Sequence, residues 1–163
     1  MECKINDLYE LQEALDDRIF EQHGVTRADT MTRRQLALLV EISELANETR
    51  CFKFWSNKGP SAQDVILEEY ADGIHFLLSL GIDLKDDSES LSAMEIEGSK
   101  HEAFLMIYEL ANEFFKHCSL KSYHTLFEAY LGLGVKLGLH ADMIREYYFK
   151  KNQKNHDRQN ANY

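Results

Sequence analysis

Glu41 and Glu44 stand three residues apart, a spacing that puts both carboxylates on one face of a helix and close enough to share a cation. A bare Glu-x-x-Glu is common on solvated helices, so its surroundings matter. At about 100° per residue, Leu36, Leu38, Leu39, Val40, Ile42, Leu45 and Ala46 cover most of the circumference. Glu41, Glu44 and Glu48 fall in the remaining window, with Trp55 below them. A helix this apolar is expected to be buried, which turns its acid stripe toward a cleft or a partner. Clustered, desolvated carboxylates need cations to offset their repulsion.

A second segment repeats the arrangement. Glu68, Glu69, Asp72, His75 and Ser79 share one arc, and Ile66, Leu67, Tyr70, Ala71, Ile74, Leu77 and Leu78 share the other. Packed antiparallel across the short connection around Gly59, the two helices would bring their acids together. The product would be an all-oxygen site suited to Mg²⁺ or Mn²⁺. Spacings of three and four are both acceptable on a helix, so periodicity leaves open whether Glu68 or Glu69 joins Asp72. His75 is expected as a hydrogen-bonded neighbour, because hard cations prefer oxygen.

The elements that must position these residues are helices. Only one proline, Pro60, is present, glycines number eight, and Leu, Ala, Glu and Lys outweigh β-branched residues. The expected fold class is all-α, a bundle of about six helices near 5–23, 31–54, 61–80, 99–117, 121–137 and 140–158. Asn57-Lys58-Gly59-Pro60 and Gly81-Ile82-Asp83 are expected breaks, with Ser61 as an N-cap. Asp86 to Gly98 reads as a surface loop with room for a short helical turn. Glu44-Leu-Ala-Asn-Glu48 recurs as Glu109-Leu-Ala-Asn-Glu113, but Met106 replaces Glu41 in the second copy, so paired-acid chemistry belongs to the first.

Length and charge exclude several classes. A chain of 163 residues is expected to form one domain, residues 1–163, with a core of its own. A net charge of −10 argues against a nucleic-acid-binding surface, which needs Lys and Arg to displace counterions, and points to divalent cations if the ligand carries phosphate. No leader peptide or membrane span is read, and Cys3, Cys51 and Cys118 fit neither a disulfide framework nor a zinc site. A cytoplasmic address is expected.

The runs Glu41-Ile-Ser-Glu44-Leu-Ala-Asn-Glu48-Thr-Arg-Cys-Phe-Lys53-Phe-Trp55, Glu68-Glu69-Tyr-Ala-Asp72-Gly-Ile-His75 and Tyr147-Tyr-Phe-Lys-Lys151-Asn152-Gln-Lys-Asn155-His-Asp-Arg158-Gln159 appear in that order. Together they resemble the dimeric dUTPases of the all-α nucleoside triphosphate pyrophosphatase superfamily, which also holds MazG-like enzymes. The resemblance spans nearly the whole chain. It implies Mg²⁺-dependent cleavage of dUTP to dUMP and diphosphate, with dUDP as a further substrate, by a homodimer. It also implies Glu41, Glu44, Glu69 and Asp72 as metal ligands, with Glu41 or Glu44 activating water. Lys53, Trp55 and Lys58 match the stretch that helps hold phosphates. Lys151, Asn152, Asn155 and Arg158 match residues on deoxyribose and phosphate, and Gln12 matches a glutamine that reads uracil. The chain departs from the family at Asp16, where an asparagine is usual, and at Asn162, where glycine usually precedes the final tyrosine.

Three other readings compete. They are a superfamily pyrophosphatase for another base, a ferritin-like di-iron bundle suggested by Asp72-Gly-Ile-His75, and a non-catalytic helical dimerisation module. The di-iron fold wants a second such motif, and none is found. Beyond Lys150 the chain has almost no large apolar side chains before Tyr163, so the C-terminal segment is expected to be ordered by substrate rather than by the core.

Overall fold

The computed structural model describes residues 1–161; the departure at Asn162 and the closing Tyr163 lie outside them. The chain runs β1 (Glu2–Lys4), α1 (Asn6–His23), α2 (Arg27–Thr49), α3 (Gln63–Asp83), β2 (Ser90–Ser92), α4 (Lys100–His117), α5 (Leu120–Lys136) and α6 (Ala141–Asn160). It is 73% helical, an all-α bundle with one small two-stranded sheet. No helix among the described residues is long and apolar enough to cross a membrane, and the three cysteines are free thiols.

Helix α3 is the hub, packed against α1, α2, α5 and α6, while α4 and α5 form a hairpin beside it. Its apolar arc explains this position, since Leu67, Tyr70, Ala71, Ile74, Leu77 and Leu78 are all buried. Facing them are Leu38, Ile42 and Leu45 from α2 and Leu126, Phe127 and Tyr130 from α5. The α3–α5 contact is a reciprocal clasp. Tyr70 Oη donates to the Tyr130 carbonyl at 2.9 Å, Tyr130 Oη donates to the Tyr70 carbonyl at 3.1 Å, and the two rings stack at 4.6 Å. Gly73 and Gly134 lie against the opposing phenols, where a β-carbon would meet the ring of Tyr130 or the hydroxyl of Tyr70.

Several boundaries differ from the sequence reading, each for a local reason. Helix α2 starts at Arg27 rather than 31, because Thr26 and Asp29 close a reciprocal capping box. It stops at Thr49 rather than 54, where Arg50 turns left-handed at φ 55° and ends the hydrogen-bond ladder. Ser61 is not the cap of α3; its N–H and hydroxyl bond the backbone and carboxylate of Glu48, and Ala62 caps without a side-chain bond. Gly81 is no break either, since α3 runs through it to Asp83 and the missing side chain admits the Tyr123 phenol. The segment read as a loop contains a strand, β2, paired antiparallel to β1 with Cys3 opposite Leu91.

The expectation that α2 is covered on nearly all sides is corrected within the single chain. Leu36 is 63% and Val40 44% exposed, because only the Leu38, Ile42 and Leu45 side of the helix faces α3.

Candidate active site

Helices α2 and α3 pack antiparallel, with Arg34 on Ser79 and Asp83 at one end and Glu48 on Ser61 at the other, and their acid arcs meet. One carboxylate oxygen from each of Glu41, Glu69 and Asp72 lies within 4.8 Å of the others, a spacing that can hold a metal ion. Glu69 rather than Glu68 contributes to this group. Glu44 is outside that triplet and more exposed, lining an open concavity with Val40, Ser43, Asn47, Glu48 and Glu69.

The acids feel one another. Burial first, then repulsion from Asp72, Glu44 and Glu69, pushes Glu41 up to about 7. Burial and the Asp72 and Glu44 charges also raise Glu69. The charge that partly offsets this comes from α6, where Lys151 Nζ lies 2.6 Å from Asp72 Oδ2 and 3.2 Å from Glu68 Oε1. Lys154 binds Glu68 alone, at 2.6 Å. Burial would lower Lys151, but Asp72 and Glu68 outweigh it and its pKa is raised. Glu68 is therefore a partner of lysines on α6, and both lysines hold its pKa down.

From the acid triplet a polar seam runs along α3 into the bundle. His75 Nδ1 meets Gln12 Oε1 at 2.7 Å and its ring stacks on Tyr148 at 4.2 Å. Burial drives His75 down to about 3, so it is a neutral imidazole at physiological pH. Gln12 is itself buried. Tyr148 Oη donates to its carbonyl at 3.2 Å, and its Nε2 donates to Asp16 Oδ1 at 2.8 Å. Asp16 also accepts from Ser79 Oγ at 2.5 Å and pairs with Arg27 at 3.1 Å. Arg34 closes the seam on Asp83 at 2.8 Å and on the Ser79 carbonyl at 3.0 Å.

The other residues singled out from sequence are spread more widely. Lys53 Nζ donates to Asn47 Oδ1, beside the concavity of Glu44 and Glu69. Trp55 is 65% exposed in an aromatic group with Phe52 and Phe54, and Lys58 is exposed on the turn before α3. Neither lines the concavity that Glu44 and Glu69 share. Asn152 is buried, with an Nδ2 that finds no hydrogen-bond acceptor, and Asn155 accepts from Arg158 at 3.3 Å. The segment expected to wait for substrate continues α6 to Asn160, with Lys151, Asn152 and Gln159 buried.

Sequence reasoning missed the Arg27–Arg34–Asp16–Asp83 cluster. Its signal was present in the four-residue steps Asp16 to Gln12 and Ser79 to Asp83, but partners from three helices were needed to see it. The second copy of the Glu-Leu-Ala-Asn-Glu run lies on α4, with Glu109 and Glu113 exposed and Glu113 paired to Lys116 at 3.2 Å.

A helical bundle in which opposed carboxylates meet beside a lysine-bearing helix can hold a divalent cation next to an anionic ligand. The dUTPase family model matches residues 4–163, essentially the entire chain, and the chain belongs to that family. It is a hydrolase of the dUTP diphosphatase type, and membership implies dependence on a divalent metal. A comparison with curated proteins found no match.

Proposed function

We propose that the whole chain acts as one dUTPase domain that hydrolyses dUTP with water to dUMP and diphosphate, using Mg²⁺, with Mn²⁺ as a substitute, and that it also accepts dUDP. The observation that carries this reading is the meeting of Glu41, Glu69 and Asp72 within 4.8 Å on two packed helices. Their all-oxygen donor set suits a hard cation, and a cationic Lys151 already rests on Asp72. Glu44 would complete the ligand set from the open side. A bound divalent ion would polarise phosphoryl oxygens and acidify water.

The chain's own residues divide the remaining work. Glu41 or Glu44 takes the proton from the attacking water. Lys151, Lys53, Lys58 and Arg158 neutralise phosphate charge, Trp55 borders the phosphates, and Asn152 and Asn155 bond the sugar. Gln12 reads the base. The neutral His75 and the Tyr148 hydroxyl hold its amide in one orientation.

The deciding assay is diphosphate release from a panel of deoxynucleoside triphosphates with and without Mg²⁺. Release from dUTP alone, and only with metal, is expected. Glu44→Gln should lose turnover while keeping its helical circular dichroism; wild-type turnover would remove Glu44 from the ligand set. A different base is the second reading, favoured by the engagement of Gln12 with Asp16 where the family usually has asparagine. Preference for another nucleotide in the same panel would establish it.

A cytoplasmic homodimer completes the proposal. Leu36, Val40, Leu105, Phe54 and Trp55 are exposed, Phe54 at 93%, and an apolar groove lies between the end of α2 and α4, lined by Cys51, Phe52, Phe104, Leu105 and Tyr108. That much uncovered apolar surface is unusual on a monomer. Sedimentation at micromolar concentration should give twice the 19.0 kDa chain mass; a 19.0 kDa species would refute the dimer.

A further inference from the structure

We propose that Lys151 is a tethered stand-in cation: it occupies the acid cluster of the metal-free protein, a divalent ion must displace it, and metal entry thereby releases the C-terminal half of α6. This rests on the metal-ligand assignment proposed above.

Three observations converge. Lys151 is 9% exposed and its Nζ lies 2.6 Å from Asp72 and 3.2 Å from Glu68, so a compact positive charge sits against an acid of the Glu41–Glu69–Asp72 triplet. A divalent ion on Asp72 would bring a second positive charge against the lysine ammonium, and their like charges repel. Second, no large apolar side chain beyond Tyr148 is buried among the described residues of α6. Beyond Tyr148 its buried side chains are Lys151, Asn152 and Gln159, and polar atoms of the last two lack hydrogen-bond partners. Third, ties of the final turns to neighbouring helices include polar ones, Lys154 on Glu68 and Arg18 on His156 and Asn160, and the Arg158 charge also acts on Asp72. The hold of these turns on α3 therefore includes charge pairs that a competing cation would weaken. Once displaced, the ammonium is free to meet an anionic ligand, which makes metal entry a natural first step before closure over a nucleotide.

The test uses Mn²⁺ alone, without nucleotide, on the full-length protein. Lys151→Met should tighten Mn²⁺ binding in calorimetry by about fivefold or more, the coupling expected when a competing internal cation is removed. Lys154→Met removes the same charge from the same helix but does not touch Asp72, so it should change affinity by less than about twofold. Wild-type hydrogen exchange provides a readout that does not depend on either variant folding: amides 151–160 should exchange faster when Mn²⁺ is added. Equal effects of the two substitutions, weaker binding by Lys151→Met, or unchanged or slower exchange in the presence of bound Mn²⁺ would overturn the displacement. Absence of Mn²⁺ binding in both wild type and Lys151→Met would instead overturn the ligand assignment on which it rests.

Discussion

Glu41→Gln is expected to reduce hydrolysis by on the order of a hundredfold or more while making the metal-free protein more stable above neutral pH. The rate estimate follows from outer-sphere losses of about 10–100-fold at metal sites, which loss of a direct ligand should at least equal. The stability effect has the opposite sign because the carboxylate is unfavourable among its neighbouring acids when chelator keeps cations away. Burial and three neighbouring acids raise Glu41 from 4.5 to about 7. The folded state therefore binds more protons than the unfolded chain between those values. The contribution to stability is fully present below 4.5 and is lost as pH rises through about 7. Glutamine carries no such penalty. At pH 8 in chelator, the variant should gain about 1 kcal/mol, a figure reduced for the partial exposure of the side chain. Saturating Mg²⁺ should reverse the ranking, since the ion stabilises only a protein that can bind it. Thermal melts between pH 5 and 9, with chelator and with Mg²⁺, supply the check. A variant less stable than wild type at pH 8 in chelator would contradict the account of the site.

Gly73→Ala should cost about 3 kcal/mol, the upper range for overpacking a filled core. The added β-carbon would come within 2.7 Å of Tyr130 Cζ, in the middle of the stacked Tyr70–Tyr130 clasp. Neither ring can yield easily, because each hydroxyl is bonded to the other residue's carbonyl. Gly73 directly follows Asp72, so moving α3 away from α5 also moves an acid of the triplet, and activity should fall with stability. Gly59→Ala is the control, since nothing lies within 4 Å of a β-carbon there. Urea titration should separate the two. A wild-type midpoint for Gly73→Ala would mean that the clasp is looser than its geometry implies.

The acid arcs of α2 and α3 were legible because both depend on short-range periodicity. Glu41 and Glu44 are one turn apart, as are Glu69 and Asp72, and the apolar residues around them assign the inward face. The class of fold was legible for the same reason. Boundaries were less so, because they turned on single capping events: the Thr26–Asp29 box that starts α2 early and the left-handed Arg50 that ends it. The β1–β2 pairing was not legible at all. Its strands are three residues each and nearly ninety residues apart, so neither carries a periodic signal.

What the sequence by itself determined is therefore the helical class, the two acid pairs and the family motifs, all of which are written in residue type and local spacing. What only the tertiary structure decided is which charges meet. Glu68 and Glu69 are equivalent by period, but the direction in which α6 crosses α3 gives Glu68 to Lys151 and Lys154 and leaves Glu69 with Glu41 and Asp72. The partners of Gln12 were likewise set by packing, since α1 against α3 and α6 seats it among His75, Tyr148 and Asp16. The apolar circumference of α2 suggested full burial, whereas one chain supplies neighbours for only part of it. Periodicity states the face on which a side chain lies. The partner across that face is chosen by helix crossings between residues far apart in sequence, and no local pattern records them.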